Sequence, residues 1–382
     1  MNPDLSVWVN GCDSGRLFRE EDDCFFRYQS DAAPDSFVSL TMPVRTRDYV
    51  HHRLHPIFEM HLPEGYLLSL LKKHFSKLAP TDDLGLLRLL SGSVRGRLQY
   101  GHSVSASSAL SLEDVLHSQT VGLFDELVSR FALQSPLSGV QPKVLARLMN
   151  KATLKLDDFI VKAWGADYPQ LALNEYWCMR AVERAGIPVP SFYCSDDAAL
   201  FVMRRFDLRD KGEPLGFEDL CVLQARARDD KYEGSYEQVA KSISLFVSPK
   251  FKTSSLQQFF KMMVMNTRLQ NGDAHLKNFG VLYEDARHVW LAPAYDVVST
   301  TAYIANDVSA LTLMGSRKWW PRKHLLRFGV DVCGLSLKQA GELYDECVAA
   351  LSETAAELEK SLSSTVDKEQ IRLLEHLLKL MR

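Results

Sequence analysis

The sequence predicts an α+β, two-lobed fold: a small β-rich N-terminal subdomain, a strand-bearing lobe, and a mostly helical C-terminal lobe. Three observations carry that prediction. Apolar and polar residues alternate near the start, the pattern of half-buried strands. A strand holding a Lys, a helix holding a Glu, and a further strand follow in order between about residues 158 and 207. Beyond them apolar residues recur at helical spacing, interrupted by a loop rich in Asp and Asn. The expected divisions are 1–104, 105–207 and 208–382.

At 382 residues, with 46% hydrophobic and 24% charged residues, the chain can bury a substantial core in an ordinary soluble protein. A net charge of -3 and a pI near 6.4 argue against a protein that coats nucleic acid or a membrane surface. No apolar run approaches bilayer length, and the polar N-terminus does not read as a signal peptide. Seven scattered cysteines without Cys-x-x-Cys spacing read as reduced, largely buried thiols of a cytoplasmic protein.

Leu5–Val9 alternates and Asn10-Gly11 makes a turn, with Cys24–Tyr28 as the expected partner strand. Phe37–Leu40 reads as a further strand, Gly65–Leu71 and Leu84–Leu90 as helices, and Val94–Tyr100 as a closing strand. His51, His52, His55 and His61 lack carboxylate or Cys partners at metal-site spacing, so packing or surface roles are expected. Ser103–Ala109 reads as a linker, and helical signals resume at Leu123–Val128. The small-residue turn Ser135–Lys143 then opens onto a strand at Val144–Leu148. Such a turn can offer backbone N–H groups to phosphates, although it lacks Walker A spacing and reads equally as a plain loop.

Asp158–Trp164 is an apolar strand interrupted by Lys162, which could reach phosphate oxygens or face solvent from an edge. A helix marked by Leu173, Tyr176, Trp177, Met179 and Val182 ends at Gly186 and Pro188. It carries Glu175, either a partner for Lys162 or an exposed acid. Ala199–Asp207 is a strand running into a connector. Tyr236–Phe246, Leu256–Leu269 and Pro321–Phe328 read as helices, and Ser336 with Gln339 makes a capping box for a long one. A last helix carries Ile371, Leu374, Leu378 and Met381. Trp319 and Trp320 read as packed rather than as a docking patch.

The loop Asn271–Asn278, with Asp296 downstream, concentrates the chemistry. An Asp, an Asn five residues later and an Asp eighteen beyond that is the spacing of a phosphoryl-transfer loop. Asp273 would take or aim the proton of an attacking hydroxyl, while Asn278 and Asp296 offer hard oxygens to Mg²⁺ on ATP. Phe279–Tyr283 and Val289–Ala292 read as a hairpin delivering Asp296. Taken in order, these elements follow the two-lobed protein-kinase-like plan.

The residues resemble the HipA-type serine/threonine kinases of bacterial toxin–antitoxin systems. The resemblance rests on Ser138–Lys143, Phe159–Lys162, Asn174–Tyr176, Val202–Asp207, Gly272–Phe279 and Ala292–Asp296, and Leu62–Gly65 resembles that family's N-terminal subdomain. It implies Asp273 as the base, Asn278 and Asp296 as Mg²⁺ ligands, and Lys162 as the phosphate-contacting Lys. It implies Gly139, Val140 and Gln141 in the phosphate-covering loop, and Met203, Arg204, Arg205 and Phe206 in the connector that holds adenine. Lys277 is expected to meet the γ-phosphate. His275 belongs to the same nucleotide site, with a mainly structural part.

The resemblance further implies silencing by phosphorylation of a Ser in the loop, where a phosphoserine sets close to two negative charges on the ATP phosphate site. The commonest family pattern has that Ser three residues before the Gly. Pro136 stands there in this chain, so Ser138 is the first choice and Ser135 the second. The activity implied is a growth-inhibiting protein kinase acting on a translation component such as an aminoacyl-tRNA synthetase. The partner implied is a HipB-like helix-turn-helix antitoxin, with operator DNA reached only indirectly. Two other readings stay open: an aminoglycoside-type small-molecule kinase, which shares Gly-Asp-x-His-x-x-Asn, and a non-catalytic co-repressor module.

Overall fold

The computed structural model describes residues 4–62, 82–101, 111–117, 143–150, 155–209 and 212–382. The expected helices at Gly65–Leu71 and Leu123–Val128, the linker Ser103–Ala109 and the loop from Ser135 to Gln141 lie outside them. The chain is mixed α/β with antiparallel sheets. It divides into two units: Met1–Ala163 with Val202–Asp229 and Tyr283–Ala286, and Trp164–Phe201 with Asp230–Leu282 and Arg287–Arg382. Among the described residues, no helix is long and apolar enough to cross a membrane.

The first unit opens with β1 (Leu5–Val9) and β2 (Cys12–Glu20), joined at Asn10-Gly11 with φ of +48° and +80°. Both turn residues are left-handed, as tight hairpin turns matching the strand twist require. Here the sequence expectation is corrected. Cys24–Tyr28 does not pair with β1: it lies in β3 (Asp23–Tyr28), which pairs with the far side of β2. β2 escaped notice because its first residues are polar and Gly15 sits inside it. That glycine is needed, since a Cβ would collide with the Arg27 carbonyl oxygen and stand 2.8 Å from the Phe26 ring. With β4 (Tyr49–His51) and β5 (Leu98–Tyr100) the sheet runs β4-β3-β2-β1-β5.

Val7, Leu17 and Phe26 line one sheet face and pack with Phe58 of α1 (Pro56–Glu59), Leu87 of α2 (Asp83–Leu90) and Tyr100. Phe37–Leu40 is not a strand. A 3₁₀ turn at Pro34–Ser36 leads into it, and Val38 N–H donates to Tyr28 Oη at 2.8 Å, burying Phe37 and Val38 without a ladder. The histidines have local partners. His55 Nδ1 caps α1 by accepting from Ile57 N–H at 3.3 Å, and His61 Nδ1 lies 2.8 Å from Tyr100 Oη.

A short α3 (Leu112–Leu116) precedes the hairpin of β6 (Lys143–Asn150) and β7 (Lys155–Ala163), whose register sets Lys162 opposite Lys143. Residues 202–229, in part expected with the helical lobe, belong to this first unit. Arg228 explains part of that: its guanidinium meets Asp83 at 2.9 Å and its backbone N–H donates to Glu59 at 2.8 Å. Glu218, on the short strand Gly216–Asp219, is fully buried and accepts from Ser39 Oγ, Leu40 N–H and Tyr283 Oη, each at 2.8 Å. Burial pushes its carboxyl up to about 7 despite those donors.

The second unit is mostly helical. Its helices are α4 (Leu171–Arg184), α5 (Tyr236–Phe246), α6 (Pro249–Arg268), α7 (Arg322–Asp331), α8 (Leu337–Ser364) and α9 (Lys368–Met381). α4 ends where Gly186 takes φ +69°, two residues before Pro188. α6 begins earlier than its apolar stripe predicts, because Pro249 is well placed in a first helical turn. The Ser336/Gln339 capping box starts α8 as expected. Phe259, Phe260, Met263, Phe279 and Phe328 fill the core. Gly280–Tyr283 and Val289–Leu291 form the expected hairpin, closed by Ala292 N–H to Gly280 O at 2.9 Å. Trp319 and Trp320 are partly buried, the first donating to Asp307 O at 3.1 Å and the second packing on His324. All seven cysteines are free, and five are buried.

Candidate active site

The site grows from the end of α6. Its apolar face anchors the helix in the core, which also buries Asn266. Asn266 accepts from Asn271 twice, backbone to backbone at 2.8 Å and amide to amide at 3.0 Å. Asn271 Oδ1 in turn accepts from Asp273 N–H at 3.1 Å. Two buried amides therefore fix the backbone on which Asp273 stands. Gly272 is required by close approach: its N–H donates to Thr300 Oγ1 at 2.8 Å, and a Cβ would run into the Asp307 carboxylate.

Asn278 links the loop to the downstream acid. Its Oδ1 accepts from His275 N–H and its Nδ2 donates to Asp296 Oδ2, both at 3.1 Å. Tyr295 Oη donates to Lys277 O at 2.7 Å, a second tie between the same two segments. Asp296 itself adopts φ +60°, a left-handed conformation that Asp tolerates better than most residues and that clusters at functional sites. The strand of backbone after it is held by Asn174 on α4. Asn174 is fully buried, donating to Ser299 O at 2.9 Å and accepting from Ser299 N–H at 2.8 Å.

Asp273 is different in exposure. Its side chain is 49% exposed, against 8% for His275. Tyr232 Oη donates to Asp273 Oδ1 at 2.6 Å. The Tyr232 ring meets the buried His275 ring edge-on with centroids 5.1 Å apart. His275 Nε2 lies 3.9 Å from Asp273 Oδ1, beyond hydrogen-bond range. Asn266, Asn271, Asn278 and Asp296 share the wall of a small pocket with Val182 and Met262. A carboxylate and three amides beside an apolar floor suit a hard cation, because a carbonyl-type oxygen can accept one hydrogen bond and still bind a metal.

The other expected residues are placed as follows. Lys162 on β7 is 2% exposed, so it is not a solvent-facing edge lysine, and Glu175 on α4 is fully buried rather than an exposed acid. Met203 is buried in the strand Leu200–Arg204. Arg205 is engaged within its own unit: it pairs with Asp207 at 2.5 Å and with Asp158 at 3.9 Å, and it donates to Arg95 O at 2.9 Å. Burial works against its charge, but Asp207 and Asp158 together outweigh it and leave its pKa above the usual Arg value. Arg204 is half-buried, and Phe206 packs edge-on against Phe217. Ser135, Ser138, Gly139, Val140 and Gln141 lie outside the described residues.

Sequence reasoning missed Tyr232, Asn266 and the support given by Asn174. Tyr232 sits in the run Asp229-Asp230-Lys231-Tyr232-Glu233-Gly234, which reads only as a polar loop.

The fold and this Asp–Asn–Asp loop define the class: a mixed α/β chain with a polar loop site at the end of a buried helix. Comparison with known families then places it. The HipA-like C-terminal domain matches residues 135–355 and the HipA N-terminal domain matches residues 5–101. The chain belongs to the HipA family. It is 26% identical over 287 residues to a Sinorhizobium fredii protein named "Putative kinase Y4dM", covering 69% of this chain and 66% of that protein. It is 30% identical over 184 residues to a Haemophilus influenzae protein named "Putative kinase", covering 44% of this chain and 53% of that one. The chain thus spans less than two thirds of the length of each of these two relatives. In fold it resembles HipA of Shewanella oneidensis MR-1, solved with HipB and operator DNA. The TM-score is 0.73 at 19% identity, covering 99% of this chain and 95% of that one.

Proposed function

We propose that this protein is an ATP- and Mg²⁺-dependent serine/threonine protein kinase with a two-lobed protein-kinase-like organisation. One observation carries the reading: Asp273, Asn278 and Asp296 are held in one hydrogen-bonded cluster, His275 N–H donating to Asp273 O at 2.8 Å and to Asn278 Oδ1 at 3.1 Å, and Asn278 Nδ2 to Asp296 Oδ2 at 3.1 Å. The donor set fits Mg²⁺, which takes one or two protein oxygens and completes its shell with water and phosphate. Asn278 and Asp296 would hold it. When bound, Mg²⁺·ATP supplies the phosphoryl group and the metal offsets its negative charge.

The chain's own groups do the rest. Asp273, half-open to solvent, accepts or aims the proton of the acceptor hydroxyl. Lys277 and Lys162 bring positive charge to phosphate oxygens, and buried Lys162 is suited to a desolvated anion. Gly139, Val140 and Gln141 would cover the phosphates, and the connector Met203–Phe206 would hold adenine. His275 supports the loop from within. Ser138, or failing it Ser135, would be the autophosphorylated residue that silences the enzyme.

The acceptor in this reading is a protein of translation such as an aminoacyl-tRNA synthetase, and the effect is growth inhibition. A HipB-like antitoxin would be the partner, supported by the fold shared with a HipA solved alongside HipB and DNA.

Mg²⁺-dependent ATP binding followed by calorimetry tests the metal and nucleotide roles. Wild type should bind ATP more tightly with Mg²⁺ than with EDTA, and Asp296→Ala should lose that difference. A metal effect that survives Asp296→Ala would contradict the assignment.

A further inference from the structure

Leu326 and Val330 lie one helical turn apart on α7, away from the face that buries Leu325, Phe328 and Gly329. Leu337, the first residue of α8, is 66% exposed. The three line an open groove of about 630 Å³, walled by Arg322, Lys323, Arg327 and Asp331. Neither capping nor the core accounts for Leu337. Ser336 and Gln339 make the cap of α8, and Leu335 and Ala340 are the buried residues on either side.

The two helices are fixed to each other. Leu335 N–H donates to Gly329 O at 3.0 Å across the turn between them. Gly329 is packed so closely that a Cβ there would stand 2.8 Å from the Phe260 ring and 3.1 Å from Ala340 Cβ. A partner therefore meets a groove that is already formed, which lowers the cost of binding. Its charge also departs from that of the chain. The whole sequence carries a net charge of -3, whereas the groove wall holds three cations and one acid. Arg322 meets Asp345 at 3.0 Å and Arg327 meets Asp331 at 3.0 Å, and both pairs are at least half exposed. Exposed pairs contribute little, so either guanidinium can exchange its acid for another at small cost.

We propose that this groove docks an acidic amphipathic helix of a partner protein. Two apolar side chains one turn apart on that helix would rest on Leu326, Val330 and Leu337, and flanking carboxylates would meet Arg322, Lys323 and Arg327. Helix-in-groove recognition reads anchors at this spacing. The apolar floor favours a helix over a nucleic acid, because phosphates call for cations and gain nothing from three aliphatic side chains. The floor supplies affinity, and the charged wall supplies partner choice and association rate. None of these residues belongs to the loop site, so the proposal stands or falls apart from the kinase reading.

The test is fluorescence anisotropy with the full chain and two labelled, stapled helices. Both carry Leu at i and i+4 on one face; one has Glu and the other Lys at the remaining positions. The Glu helix should bind at least about tenfold more tightly than the Lys helix, and should weaken as salt rises. Leu337→Ser and Lys323→Glu, both at exposed positions, should each weaken the Glu helix by about five- to tenfold without changing the thermal melt. No binding of the Glu helix, equal binding of the two helices, or binding indifferent to both substitutions would overturn the proposal. So would displacement of the Glu helix by a DNA duplex whose own binding fails in Lys323→Glu but survives Leu337→Ser, which would assign the surface to nucleic acid. A dimer in sedimentation that Leu337→Ser dissolves would assign it instead to a second copy of this chain, and would equally overturn it.

Discussion

The two units treat a central carboxylate in opposite ways. In the first, Glu218 is fully buried, ringed by three donors at 2.8 Å, and its carboxyl is raised to about 7. In the second, Asp273 is half-open, with its backbone fixed by buried amides. The difference separates a carboxylate that joins protein segments from one that we propose meets another molecule. The joining acid is enclosed, and desolvation raises its proton affinity even among good donors. The acid proposed to react keeps a solvent-facing side, and its backbone is held by the groups behind it.

The sharpest way to break this comparison is at the two acids of the loop site. Asp273→Ala and Asp296→Ala should each lower phosphoryl transfer on the order of 10³-fold, within the range of lost acid–base and metal assistance. Thermal unfolding of Asp273→Ala should stay close to wild type, because that side chain is half-exposed. Near-normal transfer in either variant would mean the open cluster is not the reactive one.

Next in size is Asn174→Ala. It removes both bonds to Ser299 and leaves a buried N–H and C=O unmet, which should destabilise the fold by about 2–4 kcal/mol. Urea midpoints read this directly, and an unchanged midpoint would show that the segment after Asp296 needs no such support.

The enclosed acid makes a pH prediction. Glu218 has a folded pKa near 7 against an ordinary 4.5, so between those values the folded state holds a proton that the unfolded state has released. Its contribution is therefore most favourable below the unfolded value and declines as pH rises through about 7. The loss is up to about 3 kcal/mol by linkage. Glu218→Gln should flatten this slope relative to wild type in urea unfolding from pH 5 to 8. Parallel profiles for the two proteins would contradict an enclosed, proton-holding Glu218.

At the small end, Arg327→Ala on α7 removes an exposed pair with Asp331 and should shift stability by no more than about 0.5 kcal/mol. A larger shift would show that exposed charge matters more here than the comparison allows.

What could be read from the sequence was mostly local. The Ser336 cap, the hairpin ending at Ala292 and the helix feeding the loop all depend on residues a few positions apart. β2 was missed because its polar start hides its alternation and Gly15 looks like a breaker until Arg27 is seen beside it. Phe37 and Val38 looked like a strand because burial and strand pairing give the same apolar run. The Asp–Asn–Asp spacing was legible, whereas its supports were not. Tyr232 reaches Asp273 across 41 residues and Asn174 reaches Ser299 across 125, and no periodicity joins such pairs. Nor could spacing reveal the left-handed backbone of Asp296.

The central claim is that Asp273 directs phosphate from ATP to a protein hydroxyl. Intact-mass spectrometry of the purified protein with ATP and Mg²⁺, wild type beside Asp273→Ala, tests it most directly. The account predicts a phosphate gain in wild type alone, mapped to Ser138 or Ser135. An equal gain in Asp273→Ala would contradict it.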